Sequence, residues 1–111
     1  MKIINLASKF QEVIESRAKE IKSWDEDDRY WYEVGVAFRS DDSTKSVLAS
    51  DTSTELLKYL MEGSWCKHSV DKNGNFIVYE DREEYKAKDA FIDVWRLDCE
   101  GVPELVKVLA L

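Results

Sequence analysis

The hydrophobic positions at the start of the chain recur every three or four residues. They are Ile3, Leu6, Ala7, Phe10, Val13, Ile14, Ala18 and Ile21. This spacing predicts a helix with one broad apolar stripe, and Asn5 is suited to cap its first turn. Because a small domain normally buries such a stripe on its own sheet, we expect the stripe to belong to the core rather than to a partner-binding surface.

A two-residue period follows in YWYEVGVAFR, from Tyr30 to Arg39. Its even-numbered positions are all apolar or aromatic, so the segment predicts a strand with one apolar face. Residues 41–43 suit a turn, after which Lys45 to Ser50 would return as the second strand of a hairpin. The acidic run from Asp25 to Asp28, just before the first strand, predicts a loop.

A second amphipathic helix is predicted in the middle of the chain. Asp51 or Thr52 would cap its start, and Gly63 stands where helices commonly end. Its apolar face consists of Leu56, Leu57, Leu60 and Met61.

The dipeptide Asn73-Gly74 indicates a tight hairpin, because both residue types tolerate positive φ. The two strands of this hairpin would run from Trp65 to Val70 and from Phe76 to Glu80. This arrangement would place Cys66 and His68, two residues apart, on the same side of one strand.

The last third of the chain allows two interpretations. Asp81 to Lys88 is charged and compatible with a helix, whereas Phe91 to Leu97 (FIDVWRL) is rich in strand-forming residues and favours a strand. One helix continuing to Glu100 fits the same apolar spacing and is the alternative. Pro103 suits the first turn of a short C-terminal helix. The apolar residues of that helix would be Leu105, Val106, Val108 and Leu109.

Together these elements predict a single α+β domain over residues 1–111. The N-terminal amphipathic helix would pack on a mainly antiparallel sheet, accompanied by a middle helix and a short C-terminal helix. Hydrophobic residues form 44% of the 111-residue chain and aromatic residues 12%, which is enough for one packed core. We expect a monomer or a small homo-oligomer.

The net charge of the chain limits the kinds of molecule that it can bind. The net charge is −7, and the segment from Ser23 to Glu62 carries 10 acidic against 4 basic residues. Such a surface repels phosphate backbones, which argues against direct nucleic-acid binding. No apolar run approaches the ~20 residues of a membrane span, and charges interrupt the first residues where a signal peptide needs an apolar stretch. We therefore expect a cytoplasmic protein with reduced cysteines and no membrane partner.

The stretch GSWCKHS, residues 63–69, raises the question of metal binding or catalysis. It contains the only histidine, His68, and one of the two cysteines, Cys66. Structural zinc needs four ligands, and Cys99 supplies at most a third. A nucleophilic Cys–His pair would also need an oxyanion turn and an orienting partner, and the sequence indicates neither. We therefore expect no metal, cofactor or catalytic residue, and a small thiol or histidine enzyme or sensor is the alternative.

Carboxylates beside aromatic residues form the remaining candidate site. We expect each acidic group to be exposed with an ordinary pKa, and several groups to converge on one face that binds a basic protein partner. Aromatic side chains next to them would anchor that partner. The candidate partner-binding residues are Trp24, Asp25, Glu26, Asp27, Asp28, Tyr30, Trp31, Asp41, Asp42, Glu80, Asp81, Glu83, Glu84 and Tyr85.

With acidic loops flanked by aromatics on a small helix-and-sheet domain, the chain resembles the small inhibitors carried by phages and mobile elements. These include anti-CRISPR proteins, DNA mimics and toxin-immunity proteins. The stretch YEDREEY, residues 79–85, is similar in texture to the acidic patches that some anti-CRISPR proteins present to the DNA-binding groove of a nuclease. The resemblance implies a non-enzymatic inhibitor that occludes the basic surface of a larger, nucleic-acid-handling protein such as a nuclease or effector complex. A helix-mediated assembly module is a further alternative.

Overall fold

Three helices lie on one face of an antiparallel sheet in the computed structural model of the chain, which describes residues 5–38, 44–62, 77–80 and 83–111. This is the α+β class that the sequence predicts. The helices are α1 (Leu6–Ser16), α2 (Ala18–Asp25) and α3 (Ser53–Glu62). The strands are β1 (Tyr30–Phe38), β2 (Thr44–Ser50), β3 (Ile77–Glu80), β4 (Glu83–Leu97) and β5 (Pro103–Ala110).

The longest strand, β4, organises the sheet. Strands β2, β1, β4 and β5 lie side by side in that order, and every neighbouring pair is antiparallel. The first four residues of β4 pair with β3. Since β4 is 15 residues long, it can pair with β3 at its start and with β1 and β5 further on.

The N-terminal stripe forms two helices instead of one. Asn5 caps α1 as predicted, because its side chain accepts a hydrogen bond of 3.0 Å from the Ser8 backbone N–H. The helix breaks at Arg17, whose φ of −126° and ψ of 33° are not helical. α2 then continues through Asp25, so the predicted loop begins one residue later than expected. Of the two candidate caps of α3, Thr52 is used, since its hydroxyl accepts from the Glu55 backbone N–H at 3.2 Å.

The core lies between the helices and the inner face of the sheet. Phe10 of α1 and Val34 and Val36 of β1 are fully buried in one cluster, which confirms that the N-terminal stripe packs on the apolar face of the first strand. The buried hydrophobic residues are Leu6, Phe10, Ile21, Trp24, Tyr32, Val34, Val36, Leu56, Leu60, Ala90, Ile92, Val94 and Leu109.

The predicted C-terminal helix is wrong, because residues Pro103–Ala110 form β5. As a strand, this segment hydrogen-bonds to β4 and buries Leu109 opposite Ile92, which a helix on the surface would not do. Pro103 stands at the first position of the strand, where its missing N–H does little harm to the ladder.

The preference for a strand over residues 91–97 is confirmed, and the alternative helix to Glu100 is wrong. The helix-compatible interpretation of Asp81 to Lys88 is also wrong from Glu83 onward, because backbone pairing with β3 and β1 outweighs local propensity there. The predicted hairpin strand from Phe76 is confirmed over Ile77–Glu80. The other strand of that hairpin, with Cys66, His68 and the Asn73-Gly74 turn, lies outside the described residues.

Within the described ranges, no helix combines the length and the apolar character needed to cross a bilayer.

Candidate protein-binding face

Trp24 does not contribute to the surface. Its side chain is only 7% exposed, and its ring meets that of Tyr32 edge-on, with the centroids 6.5 Å apart. Because α2 extends through Asp25, Trp24 points from a helix into the core rather than from a loop into solvent. The prediction of a partner anchor at this residue is therefore corrected.

Asp25 serves the fold. Its Oδ1 accepts hydrogen bonds of 2.8 Å from the Tyr32 hydroxyl and from the Ser53 backbone N–H, and its Oδ2 accepts from the Ser53 hydroxyl. Burial raises the pKa of Tyr32, and the bond to Asp25 raises it further, so the phenol remains a donor. Asp25 thus joins the end of α2 to β1 and to the start of α3, which leaves its carboxylate unsuited to binding a partner.

The other three acidic residues of this run divide into two kinds. Asp27 accepts from the backbone N–H and the guanidinium of Arg29, and these hydrogen bonds lower the pKa of its carboxyl to about 2. The expectation of an ordinary pKa is therefore wrong for Asp27. Glu26 and Asp28 are exposed, and Glu26 lies 3.9 Å from the amine of Lys22. Two of the four predicted carboxylates thus remain accessible to a partner.

Tyr30 is partly buried and engaged with β4. Its hydroxyl accepts from the Arg96 guanidinium at 3.2 Å, and its ring centroid lies 5.7 Å from the Arg96 Cζ. Arg96 also donates to Glu104 of β5 at 2.7 Å. This network ties three strands together at the end of the sheet where β1 begins.

Of the second predicted acidic group, Glu80 lies in β3, as predicted, whereas Glu83 and Glu84 lie in β4 and not in the helix that the charged run allowed. Glu80 pairs with Glu83 in the β3–β4 register, and Tyr85 pairs with Val78 one step beyond Glu84. Asp41, Asp42 and Asp81 are outside the described residues. The described part of this group lies along the β3–β4 pairing, whereas the run at Asp25 to Asp28 lies between the end of α2 and the start of β1.

A different surface brings carboxylates and aromatics together. Because Tyr32, Val34 and Val36 of β1 point to the core, the alternate residues of β1 point away from the helices, and the same holds along β4. We term this side the outer face. It is defined by Trp31, Glu33 and Gly35 of β1, Phe91, Asp93 and Trp95 of β4, and Leu105 and Val108 of β5.

The outer face is arranged in three rows across β1 and β4. Trp31 pairs with Trp95, and their rings lie within 10° of parallel with centroids 6.3 Å apart. The next row pairs two acids, Glu33 and Asp93. The third row is formed by Phe91 alone, whose partner is Gly35. The two carboxylates therefore lie between aromatic side chains.

The third row depends on the missing side chain of Gly35. A Cβ at this position would lie 2.3 Å from Cε2 of Phe91, so the phenyl ring occupies the space above the glycine. The ring thereby borders the row that contains Glu33 and Asp93 on the side opposite Trp31 and Trp95.

No basic residue among those described neutralises the acidic row. The described arginines each bind another carboxylate: Arg17 binds Glu20, Arg29 binds Asp27 and Arg96 binds Glu104. Partial burial raises the pKa of Asp93, and the negative charge of Glu33 raises it further. The Ser46 hydroxyl donates to Glu33 at 2.9 Å. Like charges directly opposite each other in a sheet are destabilising, so the fold gains nothing from this pair.

Two further features of the outer face are a polar atom without a hydrogen-bond partner and a pair of exposed aliphatic side chains. The indole Nε1 of Trp95 is buried and has no hydrogen-bond partner in the described part of the structure. On β5, Leu105 is 49% exposed and Val108 is 52% exposed. Large exposed aliphatic groups next to aromatics are typical of protein-binding surfaces.

Sequence reasoning identified Trp31 but missed its neighbours. The signal was the spacing WYE at 31–33 and DVW at 93–95, which places an acid two residues from a tryptophan in opposite chain directions. Antiparallel pairing aligns these two motifs. The register of β1 against β4 decides this alignment, and local pattern does not encode it.

The described ranges contain no group of three histidine, cysteine or acidic residues placed to hold a metal. Cys99 is exposed in the turn between β4 and β5.

Comparison of the chain with protein-family models, with curated proteins and with solved structures finds no match.

Proposed function

We propose that the chain is a non-enzymatic, cytoplasmic binding protein that occludes the basic surface of a larger, nucleic-acid-handling protein. The observation that carries this proposal is the acidic row of the outer face. Glu33 and Asp93 lie side by side between aromatic rings, at a cost in stability and with no described cation of the chain to neutralise them. A basic partner would neutralise both.

Exposed acids at one end of the sheet extend this surface. The Leu97 backbone N–H donates to the Arg29 carbonyl at 3.0 Å, which places the α2–β1 turn beside the β4–β5 turn. Asp28 in the first turn and Glu100 in the second are both exposed. They lie at the end of the sheet nearest to the row of Trp31 and Trp95, so acids flank the aromatic row on both sides.

Each component has a separate role in the proposed binding. Carboxylates steer a basic partner toward the surface and mainly set the association rate, whereas desolvated aromatic groups supply much of the affinity. A net charge of −7 disfavours nucleic acid as a direct ligand. The proposed inhibition therefore acts by covering the site that nucleic acid would use on the partner.

Comparative capture tests the proposal. Wild-type chain and the Glu33→Gln/Asp93→Asn double variant are used as baits in a nuclease-treated host lysate, and bound proteins are identified by mass spectrometry. The matched control is Glu12→Gln/Glu15→Gln, which removes two exposed charges from α1, on the side of the sheet opposite the outer face. We expect a nucleic-acid-binding protein that wild type and control retain and that the double variant retains much less.

The captured protein is then purified, and its binding to its own nucleic acid is measured by fluorescence anisotropy with increasing amounts of the chain. Competition by wild type, weakened in the double variant, is the expected result. Retention of the same partners by all three baits would contradict the assignment of the outer face, and an undiminished affinity for nucleic acid would contradict inhibition.

A further inference from the structure

On the basis of the proposed function, we infer that the outer face recognises an arginine side chain of the partner, with the guanidinium seated on Glu33 and Asp93 between the Trp31–Trp95 row and Phe91. This inference names the chemistry of the occupant. It is carried by the complementarity of charge and shape between the three rows and a planar cation.

The spacing of the acidic row suits one guanidinium. Residues directly opposite each other in an antiparallel pair have Cβ atoms about 4.5–5.5 Å apart. Glu33 and Asp93 therefore present two carboxylates side by side on one face. A guanidinium offers five N–H donors in one plane, so a single group can donate to both carboxylates. The hydrogen bond from Ser46 restrains Glu33 before the ligand arrives.

The aromatic borders distinguish arginine from lysine. A guanidinium is flat and weakly hydrated, and it stacks on aromatic rings while it donates to acids at its edge. Trp31 and Trp95 offer near-parallel indoles on one side of the acidic row, and Phe91 offers a phenyl ring on the other. A lysine ammonium would neutralise the charge, but it is a compact, strongly hydrated cation that does not stack.

A second copy of the chain is a poorer occupant. Two outer faces packed together would place two acidic rows against each other. The arginines that the structure describes could not relieve this repulsion, because all three are bound to other carboxylates. The exposed Val108 lies opposite Asp93 and the exposed Leu105 lies opposite Trp95, and both would contact the apolar part of an arginine-bearing segment.

Three capped peptides of the same sequence test this inference. Each has threonine and valine around one central position, which is arginine, lysine or citrulline, the neutral isostere of arginine. Binding is measured by titration with the indole N–H signals of Trp31 and Trp95 as NMR reporters. We expect the arginine peptide to bind at least tenfold more tightly than the lysine peptide, and the citrulline peptide to bind no more tightly than lysine.

Variants of the chain locate the binding. Glu33→Gln and Asp93→Asn should each weaken the binding of the arginine peptide about tenfold, whereas the control Glu12→Gln, on the exposed side of α1, should leave its affinity unchanged. Should either variant fail to fold by circular dichroism, the shifts of the two indole signals in the wild-type titration decide the location. Shifts confined to residues away from the outer face would overturn the inference.

Failure of this inference can be separated from failure of the proposed function. Equal affinity for arginine and lysine peptides, with partner capture still lost in the Glu33→Gln/Asp93→Asn variant, overturns arginine recognition alone. If neither peptide binding nor capture responds to that variant, both are overturned. Concentration-dependent self-association in sedimentation, abolished by the same variant, would identify a second copy as the occupant instead.

Discussion

Asp93 lies opposite Glu33 in a partly buried position, and both effects favour the protonated form of its carboxyl. The two carboxylates repel each other, so removing one charge should help folding. We expect Asp93→Asn to raise the free energy of unfolding by about 0.5 kcal/mol, in the range of cross-strand pair effects. Urea denaturation at pH 7 measures this change, with Asp28→Asn as the exposed control.

The pH dependence of stability follows from the same raised pKa. Between the ordinary value of 3.8 and its raised folded pKa, the folded state holds a proton on Asp93 that the unfolded state has lost. The contribution of Asp93 to stability therefore falls as pH rises from about 3.8 through its folded pKa. Asp27 acts in the opposite direction, because its pKa is lowered to about 2 and its contribution is lost as pH falls below 3.8. In Asp93→Asn, the free energy of unfolding should no longer fall as pH rises above 3.8, whereas the loss at lower pH due to Asp27 should remain. A pH profile of stability identical to that of wild type would contradict the role of Asp93.

Asp25 is the acidic residue on which the fold depends most directly. Its removal leaves the buried Tyr32 hydroxyl and the Ser53 backbone N–H without their acceptor. Each unsatisfied buried group costs about 1–3 kcal/mol, so we expect Asp25→Ala to destabilise the protein by about 3 kcal/mol. Glu26→Ala, one residue away and exposed, should change stability by no more than about 0.5 kcal/mol. Similar melting temperatures for the two variants would show that the Asp25 contacts contribute little.

At the scale of elements, the packing of β4 on β1 depends on Gly35, because the Phe91 ring occupies the space that a side chain would fill. Gly35→Ala would push a methyl group into the Phe91 ring, which must then move. We expect a loss of about 1–3 kcal/mol, typical of overpacking. In the background of Phe91→Ala the same substitution should cost much less, and a double-mutant cycle measures the difference. Equal costs in both backgrounds would mean that the backbone of Gly35, and not the ring, sets the requirement.

Elements with a strong local pattern were predictable from the sequence. β1 follows from its alternation, and α3 follows from its apolar face and its cap at Thr52. β5 was not predictable, because the spacing of Leu105, Val106, Val108 and Leu109 also fits a helix. The decisive factor is the edge of β4, which residues Pro103–Ala110 cover, and such pairing depends on the whole sheet.

The candidate site likewise contains residues that the sequence predicts and residues that only the fold reveals. Trp31 was recognised because it stands beside an acidic run, yet its functional neighbours come from residues about 60 positions later, through the register of β1 and β4. In the sequence, Trp24 and Asp25 fit the same pattern as the surface candidates, an aromatic residue and an acid just before a strand. The length of α2 decides that both serve the interior of the protein.

For the whole molecule, the distribution of charge should control the rate of association. Glu26, Asp28 and Glu100 are exposed acids near one end of the sheet. Reversal of all three to lysine should slow association with the captured partner and flatten its dependence on salt, while thermal stability changes little. Stopped-flow or surface plasmon resonance over a range of ionic strength gives both values. A wild-type rate at every salt concentration would exclude this end of the sheet from steering.

The central position of β4 also bears on the time course of folding. Strands β4 and β5 meet through a short turn, and β1 and β2 are likewise close in sequence. By contrast, the contact of Tyr30 with Arg96 closes a loop of 66 residues. The entropy of closing that loop must be lost before the two hairpins join, so folding should be slower than for a helical bundle of the same length. The two halves of the outer face, one on each hairpin, therefore come together only at this late step, and a partner has no complete surface to bind until the sheet is closed.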